Sequence, residues 1–184
     1  MGPYNSLGNG AAMRVSAAGL LAKSVDEATT LSDRVTEVTH NHLEGMRGGA
    51  ATAVAIHMAR TGRWAGEIRQ AIAQRFQYDL TPSVDEIRPS YRYNERSQDT
   101  LPQALTCALE ARDYEDAIRN AISIGGDSDT IAAIAGAVAE ALFGISDEMA
   151  AEAWRYLPAE MHVVLQDLYA IAGQPGSVSE DVSS

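Results

Sequence analysis

The chain has 184 residues, one cysteine and a formal net charge of −11 at pH 7. This length suits a single domain with its own hydrophobic core, and one cysteine excludes both an internal disulfide framework and a cysteine-based zinc site. The excess of acidic residues argues against nucleic acid as a main partner, because phosphate backbones are bound by clustered Lys and Arg.

The sequence also bounds the compartment. No apolar run approaches the ~20 residues that a transmembrane helix needs. The segment Met1–Asn5 lacks the charged and apolar regions of a secretion signal. Cys107 lies within a helical pattern, which favours a packing residue over a nucleophile, and it fits a reducing compartment. We therefore predict a cytoplasmic protein without a membrane partner.

Apolar residues recur at helical spacing and alternating β-branched runs are absent, so the sequence predicts an all-α fold. The stretch Ser24–Glu27 has the form of a capping box and starts an amphipathic helix. The next helix, about 44–60, contains small residues at 48–51 that would let a neighbouring helix approach closely. A further helix begins near Trp64, which we expect in the core. The apolar positions of the first and last of these helices are Ala28, Leu31, Val35 and Val38, and Ile68, Ala71, Ile72 and Phe76.

The helical pattern breaks between residues 80 and 99. Pro82 and Pro89 interrupt it, and one turn is predicted inside it at Ser83–Ile87. A loop of this length in a compact domain is either functional or a solvated excursion, and the sequence leaves both open.

Helices resume after this loop. Thr100 is predicted to cap the next one, with Pro102 tolerated in its first turn. Asp113 starts another, which ends at the pair Gly125-Gly126. The residues from Ile131 to Phe143 are apolar on nearly all sides, which predicts a central buried helix. Two more helices and a disordered tail complete a bundle of about eight helices, at about 147–156, 159–172 and 173–184.

An acidic cluster precedes the buried helix. Asp127, Ser128, Asp129 and Thr130 are typical of a helix N-cap, and acidic residues suit the positive end of the helix dipole. A cap needs only one side chain, however, and two carboxylates this close repel unless a cation or a proton intervenes. Carboxylate and hydroxyl oxygens suit Mg²⁺, Mn²⁺ or Ca²⁺. The cluster is therefore either a cap or a metal site.

Two other segments have binding chemistry. Gly8, Asn9 and Gly10 form a turn before a helix, where free N–H groups can hold a phosphate, and Ser6 could add a hydroxyl group. The same residues also suit a plain turn. His40 and His42 lie on a bend between two helices, where hydrogen bonding to a ligand is a better interpretation than zinc binding, because further zinc ligands are not evident. We expect His57, on an apolar helix face, to be a core histidine with a satisfied hydrogen bond.

Together these segments resemble the ADP-ribosylglycohydrolases, the family that includes dinitrogenase reductase-activating glycohydrolase and the ADP-ribosylarginine and ADP-ribosylserine hydrolases. The similar stretches occur in the family's order and extend to about Ala172. They are Gly8–Ser16 (GNGAAMRVS), Val38–Gly45 (VTHNHLEG), Thr100–Leu105 (TLPQAL) and Asp116–Gly144 (DAIRNAISIGGDSDTIAAIAGAVAEALFG).

The resemblance implies a compact orthogonal bundle of helices around a dinuclear Mg²⁺ or Mn²⁺ centre, within a domain spanning residues 1–172. The implied activity is hydrolysis of the bond between C1″ of ADP-ribose and a modified acceptor. The implied metal ligands are Asp127, Asp129 and Thr130. The implied ADP-ribose contacts are Ser6, the backbone of Leu7, Gly8 and Asn9 with the adjoining Gly10, and His40.

Members of this family carry an N-terminal half before the Gly8–Gly10 loop, with a Thr-Asp-Asp-Thr-like metal motif and, in some members, the catalytic acid. The resemblance therefore implies that this chain corresponds to the C-terminal part of such an enzyme, with its catalytic residue in the other half. Three hypotheses follow: an enzyme completed by that half, which a separate gene could encode; a module that binds ADP-ribose without turnover; or a remnant with neither property.

Overall fold

The computed structural model describes residues 3–173, and over that range it is all-α, as predicted. A 3₁₀ helix at Asn9–Arg14 precedes ten α-helices within the described range. They are α1 (Ser16–Leu21), α2 (Val25–Thr36), α3 (Leu43–Arg60), α4 (Ala65–Phe76), α5 (Val84–Ile87), α6 (Ser97–Leu109), α7 (Tyr114–Ser123), α8 (Ser128–Phe143), α9 (Asp147–Arg155) and α10 (Ala159–Ala172).

The helix starts follow the capping signals of the sequence. The Ser24 side chain accepts a hydrogen bond from the N–H of Glu27, and Asp113 accepts one from the N–H of Asp116. Ser83 caps the short helix α5 in the same way. These side chains supply acceptors to N–H groups that have no partner inside the helix. The predicted N-cap at Ser24, the start of α7 and the single turn inside the 80–99 loop are thus confirmed, whereas the Glu27 side chain accepts from the N–H of Lys23 and not from that of Ser24, so the predicted capping box is incomplete.

Helix α3 is the centre of the first part of the molecule. It packs against the 3₁₀ helix and against α1, α2, α4, α6 and α8. Its small residues permit this crowding: a Cβ atom at Gly48 would lie 1.9 Å from Ser97 Oγ of α6, and one at Gly49 would lie 2.8 Å from Thr36 Cγ2 of α2. The close approach expected from the small residues at 48–51 is confirmed.

Helix α6 begins four residues earlier than predicted, with Arg96 and not Thr100 at the N-cap position. Arg96 is extended and pairs with Gly8, so the helix starts at Ser97 and Thr100 lies inside it. Pro102 is consequently an interior residue rather than a first-turn residue. The sequence prediction followed the preference of Pro for the first turn, whereas here the pairing of Arg96 with a distant segment decides where the helix begins.

The buried helix α8 is confirmed, with Ile131, Ile134 and Val138 fully inaccessible to solvent. Three apolar predictions were wrong. Val35 lies within α2 but is exposed. Val38 is exposed, because α2 ends at Thr36 and Val38 lies in the turn beyond it. Trp64 is 67% exposed, because it precedes α4 and its ring lies over Gly66 on the surface.

The chain divides into two compact units between Phe143 and Gly144. Within the second unit, α9 and α10 are joined by an edge-on contact of Trp154 with His162, whose ring centroids are 4.8 Å apart. His162 Nε2 also lies 2.9 Å from the carbonyl oxygen of Trp154. Gly173 ends α10 in the left-handed conformation, and the rest of the predicted disordered tail lies outside the described residues.

None of the helices between residues 3 and 173 combines the length and the apolar character needed to cross a membrane.

Cys107 is fully buried on α6, which confirms it as a packing residue, and desolvation raises the pKa of its thiol to about 12. Only roughly one thiol in ten thousand is then ionised at pH 8, and the thiolate is the reactive form. We expect iodoacetamide to leave the native chain unmodified at pH 8 and to alkylate it completely in denaturant, as measured by mass spectrometry. Rapid alkylation of the native chain would contradict the buried placement.

Candidate functional site

The segment before the 3₁₀ helix is held against the segment before α6. The N–H of Asn9 donates to the carbonyl oxygen of Glu95 at 2.8 Å, and the N–H of Ser97 donates to the carbonyl oxygen of Leu7 at 3.0 Å. This short antiparallel pairing places the Gly8–Gly10 loop at the start of α6. Two of the backbone groups that the sequence assigned to phosphate binding therefore already have partners in the chain, since the N–H of Gly8 donates to Ser6 Oγ at 3.2 Å.

The side chain of Asn9 joins the two predicted parts of the site. It is 7% exposed, and its Nδ2 donates to Asp127 Oδ2 at 2.6 Å and to Thr100 Oγ1 at 3.2 Å. Thr100 Oγ1 in turn donates to the carbonyl oxygen of Asn94 at 2.9 Å. Sequence reasoning considered only the backbone of Asn9 and used Thr100 as a helix cap, and so missed both side chains. A polar residue between two glycines gave no sign of its distant partner.

Asp127, Asp129 and Thr130 stand together at the start of α8. The carbonyl oxygen of Asp127 accepts the hydrogen bond of Ile131 N at 3.0 Å, which places Asp127 at the N-cap position. Thr130 is buried and Asp129 is exposed. Hydrogen bonding lowers the pKa of Asp129. The larger effect comes from the N–H of Thr130 and the smaller one from the Asp127 carboxyl group. Asp127 thus occupies the N-cap position and directs one carboxylate oxygen to Asn9.

These residues offer oxygen donors of the kind that hard cations prefer: two carboxylates and a hydroxyl group. Within residues 3–173 there is no group of three or more His, Cys, Asp and Glu residues that could hold a metal ion. The donor set of this chain therefore fits Mg²⁺ or Mn²⁺ in its chemistry but amounts to only part of a coordination shell.

His40 faces the opposite side of the glycine loop. It is 7% exposed, and Cβ atoms built at Gly8 and Gly10 would lie 3.6 and 3.5 Å from its Nε2. Desolvation, and then the positive charge of Arg14, lower the pKa of His40. The loop thus contacts Asp127 through the Asn9 side chain and the imidazole edge of His40 through Gly8 and Gly10.

His42 and His57 do not join this group. His42 Nδ1 accepts a hydrogen bond from the N–H of Glu44 at 3.1 Å, so it caps α3. His57 is buried in α3 as predicted, but its Nδ1 has no hydrogen-bond partner among the described residues. The pairing of His40 with His42 in one ligand-binding bend is therefore not what the structure forms.

Part of the long loop also reaches the site. The ring of Tyr91 lies against Gly126, where a Cβ atom would be 2.5 Å from Tyr91 Cε1, and desolvation raises the pKa of Tyr91. Next to Tyr91 is a cavity of about 730 Å³ between α5, the 90–94 segment and α6, lined among others by Tyr78, Asp99 and Gln103. Sequence reasoning left this loop undecided between function and a solvated excursion, because it has no periodicity. The structure places Tyr91 beside Asp127.

The two glycines before Asp127 allow a matched test of this packing. Both have positive φ values, 73° at Gly125 and 71° at Gly126, but a Cβ atom at Gly125 would meet nothing within 4 Å. Gly125→Ala carries only the left-handed backbone strain, about 1–2 kcal/mol. Gly126→Ala adds overlap with Tyr91, and we expect about 1–3 kcal/mol more. Urea unfolding measures both free energies, and equal losses would contradict the placement of Tyr91 against Gly126.

Comparisons with known proteins identify the family of this chain. The sequence pattern of the ADP-ribosylglycohydrolase family matches residues 1–177. The chain is 27% identical over 195 residues to ADP-ribosylhydrolase ARH3 of Homo sapiens, covering 82% of this chain and 53% of that protein. It is 28% identical over 159 residues to ADP-ribosylarginine hydrolase Tri1 of Pseudomonas putida, covering 77% and 40%. The chain therefore spans about half the length, or less, of these curated relatives.

A solved structure described as an ADP-ribosylglycohydrolase-related protein complex shares the fold. Its TM-score is 0.65 at 23% identity, and the likeness covers 93% of this chain and 60% of that one. The predicted all-α fold of this type is confirmed. Because the family pattern covers almost the whole sequence, this chain belongs to the ADP-ribosylglycohydrolase family.

Proposed function

We propose that this chain forms part of a metal-dependent hydrolase that cleaves the glycosidic bond between ADP-ribose and a modified acceptor. The observation that supports this most directly is the hydrogen bond from Asn9 Nδ2 to Asp127 Oδ2 at 2.6 Å. It brings the glycine loop and the acidic start of α8, which lie 118 residues apart in sequence, into one site. A site with a loop suited to phosphate beside carboxylates suited to a cation fits a nucleotide sugar.

The carboxylates of Asp127 and Asp129 and the hydroxyl group of Thr130 would hold Mg²⁺ or Mn²⁺. When bound, the cation would orient the ribose hydroxyl groups and supply Lewis-acid chemistry. Asp129 is ionised at neutral pH, as an exposed Asp ordinarily is, and is therefore able to bind a cation. We propose that the remaining ligands of a dinuclear centre, and the catalytic acid, come from polypeptide that corresponds to the uncovered part of the relatives, in the same or a separately encoded chain.

On the other side of the loop, Ser6, Gly8, Gly10 and His40 would contact the diphosphate of ADP-ribose. The absence of side chains at Gly8 and Gly10 leaves the Nε2 edge of His40 open toward the loop. Binding through the backbone of Leu7, Gly8 and Asn9, as the family resemblance implies, would have to compete with the present hydrogen bonds of Gly8 and Asn9.

Hydrolysis breaks the bond from C1″ to the acceptor: water supplies a hydroxyl group to C1″ and a proton to the acceptor. Positive charge develops on the ribose in the transition state, as in other glycoside hydrolysis, and nearby carboxylates stabilise it. Asp127, held by Asn9, is the best-positioned carboxylate of this chain for that role. We propose that the reaction takes place in the cytoplasm, because a reducing compartment suits a chain with a single reduced cysteine, Cys107.

A second candidate is a module that binds ADP-ribose without turnover. The observation that favours it is that the described residues supply only two carboxylates at the site and no group of three metal-binding side chains.

Activity and binding separate these candidates. The chain is combined with polypeptide that corresponds to the uncovered part of the relatives, taken from a relative or from a partner gene. We expect this combination to release ADP-ribose from an ADP-ribosylated peptide only with Mg²⁺ or Mn²⁺ present, as measured by chromatography. ADP-ribose binding in calorimetry without release under any of these conditions would support the module. If the chain neither binds ADP-ribose nor releases it from the peptide, both proposals are wrong.

Asp129→Asn distinguishes metal ligand from cap. Asn caps a helix about as well as Asp, so the substitution would change helix stability little if Asp129 is only a cap. If Asp129 is a metal ligand, the substitution removes the negative charge that attracts the cation. We expect Mg²⁺ affinity in calorimetry to fall by about tenfold or more with helical content unchanged. Asp147→Asn, in the first turn of α9, is the matched control and should leave Mg²⁺ binding unaltered. Equal affinities of wild type and Asp129→Asn would favour the cap.

A further inference from the structure

The environment of His40 includes a cation that the proposed mechanism does not use. Arg14, at the end of the 3₁₀ helix, places Nη2 2.7 Å from His40 Nδ1. Thr39 Oγ1 lies 2.7 Å from the same nitrogen, and it also accepts a hydrogen bond from Arg14. Arg14, Thr39 and His40 thus contact one another pairwise on the Nδ1 side of the imidazole ring.

The chemistry of a guanidinium group determines the protonation state of this imidazole. Arg has only donors and stays charged in proteins, so Arg14 can form a hydrogen bond with His40 Nδ1 only if that nitrogen is the acceptor. In that arrangement the ring is neutral and its single proton is on Nε2. A neutral imidazole whose tautomer is held by a partner on the other nitrogen is a common way to fix a donor in one direction.

The direction of that donor follows from the glycines. The Nε2 edge faces Gly8 and Gly10, where Cβ atoms would lie at 3.6 and 3.5 Å. Burial of the ring leaves little freedom to turn away, since His40 is 7% exposed. The Nε2 edge is thus directed at the Gly8–Gly10 loop.

We propose that Arg14 is a positioning residue: by donating to Nδ1 it holds His40 neutral and turns the Nε2–H donor toward the Gly8–Gly10 loop, to receive an oxygen of an anionic group. The identity of that anion as the diphosphate of ADP-ribose rests on the proposed function. The relation between Arg14 and His40 does not, because it is formed without a ligand.

Nitrogen-15 NMR of the histidine rings, in the unliganded chain at pH 7, tests the first part. His40→Gln assigns the signal. We expect a neutral ring with the proton on Nε2 and a hydrogen-bonded Nδ1. A proton on Nδ1, or a doubly protonated ring at pH 7, would overturn the proposal whatever the ligand is.

Three variants test the role of Arg14. Arg14→Met removes the donor and the charge but keeps the aliphatic stem. Because Arg14 is the charged group that acts on His40, its loss should raise the pH at which the ring takes up a second proton, and weaken ADP-ribose binding by about tenfold. Arg14→Lys restores a cationic donor and should largely restore both. Arg34→Met, on exposed α2 surface, removes a positive charge elsewhere and should change neither.

The outcomes separate the two proposals. If Arg14→Met leaves the His40 ring unchanged, or if ADP-ribose affinity is insensitive to it, Arg14 does not position His40 for the ligand. If the variant fails to fold, the Lys variant and the wild-type ring measurement still decide. If the wild type shows the predicted ring state but does not bind ADP-ribose, the proposed nucleotide site is wrong. The positioning of His40 by Arg14 is then still supported.

Discussion

One buried amide determines how this site is assembled. The side chain of Asn9 donates to Asp127 and to Thr100, and its backbone N–H donates to Glu95. A buried donor without a partner costs about 1–3 kcal/mol, so the fold must keep each of these hydrogen bonds to avoid that loss of stability. Through them the glycine loop, the start of α6 and the start of α8 are held in one arrangement.

That arrangement needs room, and small residues of α3 provide it. A Cβ atom at Gly45 would lie 2.7 Å from the carbonyl oxygen of Ser6, so only glycine lets the segment before the loop reach the start of α3. The 3₁₀ helix that follows packs on α3, α6 and α8 together. Close packing of helices thus sets the position of the loop, and the loop in turn orients the Asp127 side chain.

The site has two electrostatic ends. Asp127 and Asp129 make one end negative, in a chain whose net charge is −11, and Arg14 places a positive charge behind His40 at the other. The Gly8–Gly10 loop lies between them. Under the proposed function, the negative end would take a cation with the ribose, and the donor end would take the diphosphate. One elongated ligand with these two groups would then contact both ends.

The sequence by itself determined what depends on neighbours along the chain: the all-α class, the capped starts of α2, α5 and α7, the buried helix α8 and the residue types of the candidate site. Helical periodicity and capping are local, so they can be read from spacing. Only the tertiary structure decided that α6 starts at Ser97, that Tyr91 lies against Gly126, and that the Asn9 side chain binds Asp127. Each of these depends on a residue far away in sequence, and no local pattern specifies which distant partner a polar side chain will find.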